Sequence, residues 1–253
     1  MSDFDRNVAA RGFGTAARSA EIDAGLRAYM IRIYNYMAAG VALTGVVAWL
    51  TFNAAVVTDA TGRITGLTSF GQTIFSGPLT IVLFLGTLGL VFFLSFRVHK
   101  LQASTALGLF LLYAGLLGLM LSSVFLAYTG ASITRTFFIS AASFGALSLY
   151  GYTTQRDLSP IGSFLIMGLF GLILAMVVNI FLKSSGLDFA ISAIGVLIFA
   201  GLTAWDTQKI KEMYDANDDG TVSGRKAVMG ALTLYLDFIN LFLFLLRFMG
   251  DRR

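Results

Sequence analysis

Long uncharged apolar runs alternate with short polar connections along most of this chain. Six runs carry no charged residue, and they cover residues 33–58, 64–96, 101–134, 136–155, 158–182 and 189–205. One helical crossing of a lipid bilayer takes about 20 apolar residues, so each run is long enough, or nearly so, to cross. The pattern predicts helices over residues 34–57, 72–96, 102–127, 134–154, 159–182 and 188–208, and a seventh over residues 227–247.

The composition agrees with a membrane protein and excludes several classes of enzyme. Of the 253 residues, 57% are hydrophobic and only 13% are charged, which is about half the charged share of an average soluble domain. The chain has no cysteine and one histidine, His99, so disulfides, thiolate nucleophiles, iron–sulfur clusters and histidine-rich metal centres are excluded. We expect an all-α polytopic membrane protein without a bound cofactor, with His99 at the membrane interface. The basic residues are scattered and do not predict nucleic-acid binding.

Lysine and arginine residues are unevenly divided between the two sides of the predicted bundle. With a cytoplasmic N-terminus and seven crossings, twelve lie on the inner side and six on the outer side. Basic residues are enriched in cytoplasmic loops, so we predict a cytoplasmic N-terminus. A last segment that dipped back would also fit this count, and we favour a crossing on the length of the segment. Residues 1–28 are predicted to form a flexible cytoplasmic arm, and residues 29–253 the seven-helix transmembrane domain.

Two aspartates, Asp206 and Asp237, lie within or close to apolar spans. An aspartate at the centre of a membrane helix costs about 2.5–3.5 kcal/mol, so it should face the bundle interior and a partner. Counted from the inner ends of their helices, both lie at similar depth, and two adjacent carboxylates in an apolar interior are expected to share a proton. Simpler structural roles stay open. Asp237 could be a neutral hydrogen-bonding group, and Asp206 an interfacial partner of Lys209 or Lys211.

Other polar residues are secondary candidates. Arg97 ends the second helix and could either extend to the lipid headgroups or reach the aspartate pair and close the inner mouth. Asn179 and Asn240 lie within spans, where hydrogen bonding between helices is the ordinary explanation. Residues 215–223 resemble the opening of an EF-hand calcium loop. Because Lys226 stands where that loop needs a glutamate, we expect an exposed turn.

Three segments carry a family resemblance: residues 148–165, 199–211 and 230–242. They resemble the transmembrane Bax inhibitor motif family (Bax inhibitor-1 and YccA-like proteins), in its bacterial branch. The resemblance implies seven helices, with the last at the centre of two three-helix layers, in the bacterial inner membrane. It also implies a pH-sensitive calcium leak in which Asp206 and Asp237 form the sensor and Arg97 is the candidate latch. Calcium would then be the transported ion.

Two other functions remain open from the sequence. A membrane interaction protein that modulates a protease or a stress-response complex would use the charged arm over residues 1–28. Intramembrane aspartyl proteases also carry aspartates on consecutive helices, but they need Gly-x-Gly-Asp, and Leu-Tyr-Leu precedes Asp237 here. We therefore expect no enzymatic activity. The expected partners are the lipid bilayer, calcium and, under the interaction hypothesis, a second membrane protein.

Overall fold

A computed structural model of the protein describes the backbone of residues 3–60 and 63–253, and the side chains of residues 22–60, 63–98 and 100–253. The described chain is all-α apart from one small hairpin. Its elements are α1 Asp3–Ala55, β1 Val56–Thr58, β2 Ile64–Leu67, α2 Ser69–Phe75, α3 Pro78–Arg97, α4 Ala103–Leu121, α5 Val124–Ala127, α6 Gly130–Thr153, α7 Ser159–Leu182, α8 Ser185–Glu212 and α9 Gly220–Met249. A 3-10 turn, Val98–Lys100, follows α3.

Six helical segments of the described chain are long and apolar enough to cross a membrane. They are Ile22–Ala55, Pro78–Arg97, Ala103–Ala127, Ser159–Leu182, Ser185–Glu212 and Gly220–Met249. The predicted fourth helix is present as α6 but is not among them, because hydroxyl-bearing residues lower its hydropathy. Four of these residues are buried at a spacing of four or eight: Ser132, Thr136, Ser140 and Ser148. They form one side of a helix that packs against α8 and α9.

The helix boundaries differ from the prediction at the N-terminal end of the chain. Helix α1 begins at Asp3, whereas the prediction starts it at residue 34, because the uncharged run begins only after Arg32. The first tightly packed side chains of α1 are Tyr29 and Met30, each 3% exposed. Side chains before Ile22 lie outside the described residues, and the predicted flexibility of residues 1–28 stays a prediction.

The connection predicted over residues 58–71 contains regular structure. Strands β1 and β2 pair antiparallel, and the turn between them is closed by a hydrogen bond from the Asp59 N–H to the Arg63 carbonyl (2.9 Å). The predicted helix over residues 72–96 is also divided, since α2 ends at Phe75 and α3 begins at Pro78. Proline has no N–H to donate and suits the first turn of a helix, so it starts a new one here.

Helix α9 is the most buried of the six candidate spans. In its most apolar 18-residue stretch 61% of the residues are buried, against 6% for α7. It packs against α1, α4, α6 and α8, and its Tyr235 side chain is fully enclosed, with its hydroxyl 2.6 Å from Oγ1 of Thr44. The last helix therefore has the most protein around it. The arrangement of the other helices in two layers stays a prediction.

The C-terminal residues pack on the end of the bundle where α6 and α8 begin. Arg252 forms a backbone bridge with Tyr128, and the Arg253 N–H donates to the Ala127 carbonyl (3.0 Å). Arg247, in the last turn of α9, pairs with Asp188 in the first turn of α8. Helices α8 and α9 thus run antiparallel and remain in contact from one end to the other.

Candidate functional site

Asp206 and Asp237 meet between α8 and α9. Their carboxyl groups are close enough to interact directly, and the two residues are 8% and 5% exposed. A carboxylate has no proton to donate, so a hydrogen bond between two carboxyl groups needs a proton on one of them. The structure therefore brings the two predicted sensor residues together in an arrangement that suits one shared proton. Their role as a sensor stays a prediction.

The aspartates occupy positions of an apolar seam between the two helices. Buried residues recur every three or four positions along α9, at Gly230, Leu234, Asp237, Leu241 and Phe244. The facing helix has a matching series at Gly195, Phe199, Leu202, Asp206 and Ile210. This spacing places all members of a series on one side of a helix. Helical periodicity alone therefore turns both carboxyl groups into the interface.

Apolar side chains close the seam on both sides of the pair. Toward the end of the bundle where α8 ends and α9 begins, which is the predicted inner end, Ile210 lies one turn from Asp206 and packs with Ile33 against Gly230. Toward the outer end, the rings of Phe199 and Phe244 stack with their centroids 5.6 Å apart. The carboxyl groups are thus separated from both ends of the bundle by packed hydrocarbon.

The polar environment of the pair is incomplete. Oδ2 of Asp237 is buried and has no hydrogen-bond partner among the described residues. Buried polar atoms are nearly always satisfied, so an exception points to a bound proton, water or ion, or to a functional role. The ammonium group of Lys209 acts electrostatically on both carboxyl groups, and it lies 5.0 Å from the centroid of the Trp205 ring. Lys209 is thus an exposed cation, one turn from Asp206 on α8, whose charge acts on the pair.

A chain of hydroxyl groups beside the pair was not predicted from the sequence. Tyr34 and Ser148 share a hydrogen bond of 2.6 Å between their oxygens, and Ser148 and Thr207 share one of 2.9 Å. Thr207 follows Asp206 directly in the sequence, so these contacts join α1, α6 and α8 at the level of Asp206 along α8. The regular spacing of hydroxyl residues in α6 was the signal that could have indicated them.

Arg97 is not brought to the aspartates. It is an exposed residue at the end of α3, and it forms no ion pair with either carboxyl group in the part of the chain described. The turn after α3 leads into α4, whose Ala103 contacts α9 at Gly224. Thirteen residues, or about 20 Å of helix, separate Gly224 from Asp237. A latch between Arg97 and the pair stays a prediction.

The two candidate asparagines have different surroundings. Oδ1 of Asn179 accepts a hydrogen bond from the Ser184 N–H (3.0 Å), in a turn where Lys183 has a left-handed backbone (φ 49°). Asn179 therefore orders the turn between α7 and α8, at the opposite end of α8 from Asp206. Asn240 lies one turn outward of Asp237, and its Nδ2 donates to the Leu236 carbonyl of its own helix (2.8 Å). Only Asn240 is close to the pair.

The EF-hand-like segment between α8 and α9 forms an exposed turn, as expected. Oδ1 of Asp219 caps α9 by accepting the Val222 N–H (2.7 Å), and the ammonium group of Lys226 binds Asp218. The Asn217 N–H donates to Asp215, which lowers the pKa of that carboxyl. Within the described residues no three His, Cys, Asp or Glu side chains gather in a metal-binding arrangement. The side chain of His99 lies outside the described residues.

Comparisons with known proteins identify one family for this chain. The family model described as "Inhibitor of apoptosis-promoting Bax1" matches residues 26–253. The inner membrane protein YbhL of Escherichia coli K12 is 48% identical over 234 residues, which cover 91% of this chain and 94% of that protein. An uncharacterized protein of Rickettsia prowazekii is 51% identical over 239 residues, covering 94% and 96%. An uncharacterized protein of Caulobacter vibrioides is 42% identical over 259 residues and matches along the full length of both chains.

Proposed function

This chain belongs to the Bax inhibitor family of membrane proteins, and from that premise we propose that it is a pH-sensitive calcium leak gated by Asp206 and Asp237. Calcium passes without an energy source, and the chain performs no enzymatic reaction. The ion follows from the family resemblance, because two carboxylates suit a hard cation but do not by themselves select calcium.

The observation that carries this proposal is the contact of two buried carboxyl groups across the seam between α8 and α9. With one proton the pair is held by a hydrogen bond. Without it, two negative charges stand in contact in an apolar interior, and either the helices separate or a cation enters between them. The proton count on the pair therefore changes how tightly α8 and α9 hold each other. The charge of Lys209, one turn from Asp206, reduces this repulsion without removing it.

We further propose seven crossings of the inner membrane, with the N-terminus in the cytoplasm. Helix α6 has 24 residues, or about 36 Å of helix, which is enough to cross beside the six apolar spans. Its buried hydroxyl groups need no contact with lipid, since they lie on the packed side of the helix. The predicted excess of basic residues on the inner side supports this orientation, and the contacts of the tail with Tyr128 and Ala127 support an outer C-terminus.

The test is calcium uptake into proteoliposomes that contain a fluorescent calcium indicator, measured from pH 5 to pH 8. We expect wild-type flux to change with pH, and the double variant Asp206→Asn with Asp237→Asn to lose that dependence. Asparagine keeps the size and the hydrogen bonding of aspartate but cannot ionise. Flux with the same pH dependence in the double variant would contradict the sensor. Flux no higher than in empty liposomes at every pH would contradict the leak and favour the membrane interaction protein.

A further inference from the structure

Ile33, Ile210 and Gly230 bring α1, α8 and α9 into close contact on the inner side of the aspartate pair. A Cβ atom added to Gly230 would lie 3.1 Å from Cγ2 of Ile210 and 3.2 Å from Cδ1 of Ile33. Both isoleucines are buried. The glycine has no side chain, so two isoleucines from two other helices fill the space in front of its backbone. We call these three residues the inner layer.

The inner layer lies on the side of the pair where α8 is close to its end. Ile210 lies one turn inward of Asp206 and two residues before the end of α8. Beyond it, Tyr29 and Tyr214 meet with ring centroids 5.6 Å apart, and the exposed turn after α8 follows. In the outward direction α8 continues for 21 residues beyond Asp206, or about 32 Å. Along α8, Ile210 is therefore the last buried residue between Asp206 and the end of the helix.

A narrow ring of hydrocarbon can block ions by excluding water, without any charged group. On this basis, and resting on the proposed leak, we propose that Ile33, Ile210 and Gly230 form its inner gate. The gate controls access to the carboxyl groups, and the carboxyl groups respond to pH. In this assignment the closing element lies between α1, α8 and α9, directly below the pair, and needs no contribution from Arg97.

The first experiment shortens the side chains of the inner layer and measures calcium flux. We expect Ile33→Ala and Ile210→Ala to raise flux several-fold at every pH and to retain the pH dependence, because Asp206 and Asp237 are intact. The matched controls are Ile31→Ala on α1 and Ile194→Ala on α8, where the same residue type is exposed. If either alanine variant fails to fold, Ile210→Val makes a smaller opening at the same site. Flux equal to that of the controls in variants that fold would overturn the gate.

The second experiment measures access without measuring transport. The chain has no cysteine, so one cysteine introduced at Thr203, a buried residue one turn outward of Asp206, reports on that level alone. A membrane-impermeant thiol reagent added to the inner side should label Thr203→Cys slowly, and faster when Ile33→Ala is also present. Equal labelling with Ile31→Ala and Ile33→Ala would overturn the gate even if wild-type flux is normal. Faster labelling with Ile33→Ala, without flux in any variant, would support the gate and contradict the leak.

Discussion

Helices α8 and α9 are joined by acidic residues at two levels, and the two contacts are opposite in kind. At the outer end Asp188 pairs with Arg247 and, at 3.4 Å, with Arg252. Nearer the inner end Asp206 meets Asp237, another acid. The outer contact is partly exposed, with 26% of the Asp188 side chain and 33% of the Arg247 side chain accessible, whereas the aspartate pair is buried.

The two contacts differ in how they depend on pH. The outer one is independent of pH in the physiological range, and the aspartate pair is not. An acid and a base attract each other over the whole range between their pKa values, so the outer contact keeps α8 and α9 together at any physiological pH. Two acids attract only while they share a proton, so the inner contact depends on pH. One end of the helix pair is therefore fixed and the other is adjustable. A pH-dependent opening should start at the aspartate pair and leave the outer end closed.

The largest contrast in the pH dependence of flux is expected between Asp206→Asn and Asp188→Asn, which make the same substitution in the two contacts. We expect Asp206→Asn to bring the ratio of calcium flux at pH 5 and pH 8 to about one, since one ionisation of the pair is lost. Asp188→Asn should leave this ratio at its wild-type value. The measurement is the proteoliposome assay with both variants at equal protein density. Equal loss of pH dependence in both variants would remove the distinction between the two contacts.

The packing of α6 against α8 near the aspartate pair should be disrupted by one added methyl group. A Cβ atom at Gly151 of α6 would lie 2.1 Å from the backbone oxygen of Ala204, two residues before Asp206. We expect Gly151→Ala to destabilise the protein by about 1–3 kcal/mol, as overpacking does, with a lower midpoint of thermal unfolding in detergent. Gly145→Ala on the same helix meets nothing within 4 Å and is the control. An unchanged midpoint for Gly151→Ala would contradict this close approach.

Loss of the outer contact should lower stability moderately and leave function intact. We expect Asp188→Asn to cost about 1 kcal/mol, the upper range for partly exposed ion pairs. Thermal unfolding of Asp188→Asn, Arg247→Gln and the double variant measures the coupling between them. The double variant should lose less than the sum of the single losses, because both remove the same contact. Strictly additive losses would show that the two side chains stabilise the fold independently.

The smallest effect is expected at an exposed acid outside the helices. The Ser159 N–H donates to Oδ1 of Asp157 (2.9 Å) and lowers the pKa of this carboxyl. A carboxyl with a lowered pKa stabilises the folded state at neutral pH, and this contribution is lost as the pH falls through the folded pKa. The unfolding midpoint of Asp157→Asn should therefore be slightly below that of wild type at pH 7, and the difference should be smaller at pH 3. A constant difference at both values would contradict an effect of the charge.

The positions of the helices and the meeting of the aspartates followed from local pattern. The length of an apolar run is enough to predict a membrane span without knowledge of the rest of the chain. The helical spacing of buried residues likewise places Asp206 and Asp237 on the sides of α8 and α9 that face each other. The break before Pro78 was visible in the sequence, as was the hairpin, since β-branched residues stand on both sides of residues 59–63. The prediction contains neither feature, because it treats the uncharged residues 64–96 as a connection followed by one continuous helix.

Contacts between distant segments could not be predicted in the same way. Asp188 and Arg247 are 59 residues apart, and their pairing depends on how α8 and α9 rotate against each other. For Arg97 the sequence leaves two positions open, at the lipid headgroups or at the pair, because a position at the end of the second helix does not give the direction of its side chain. Asn179 orders a turn because Lys183 adopts a left-handed backbone, which the apolar pattern around it does not reveal.

The most direct test of the central claim is infrared spectroscopy of the carboxyl groups in the membrane at neutral pH. A protonated carboxyl absorbs separately from a carboxylate, so the shared proton should give a band in wild type. This band should persist in Asp188→Asn and be absent when Asp206→Asn and Asp237→Asn are combined. Identical spectra for wild type and the double variant would mean that the pair holds no proton at neutral pH, and the proposed coupling of proton to gate would be contradicted.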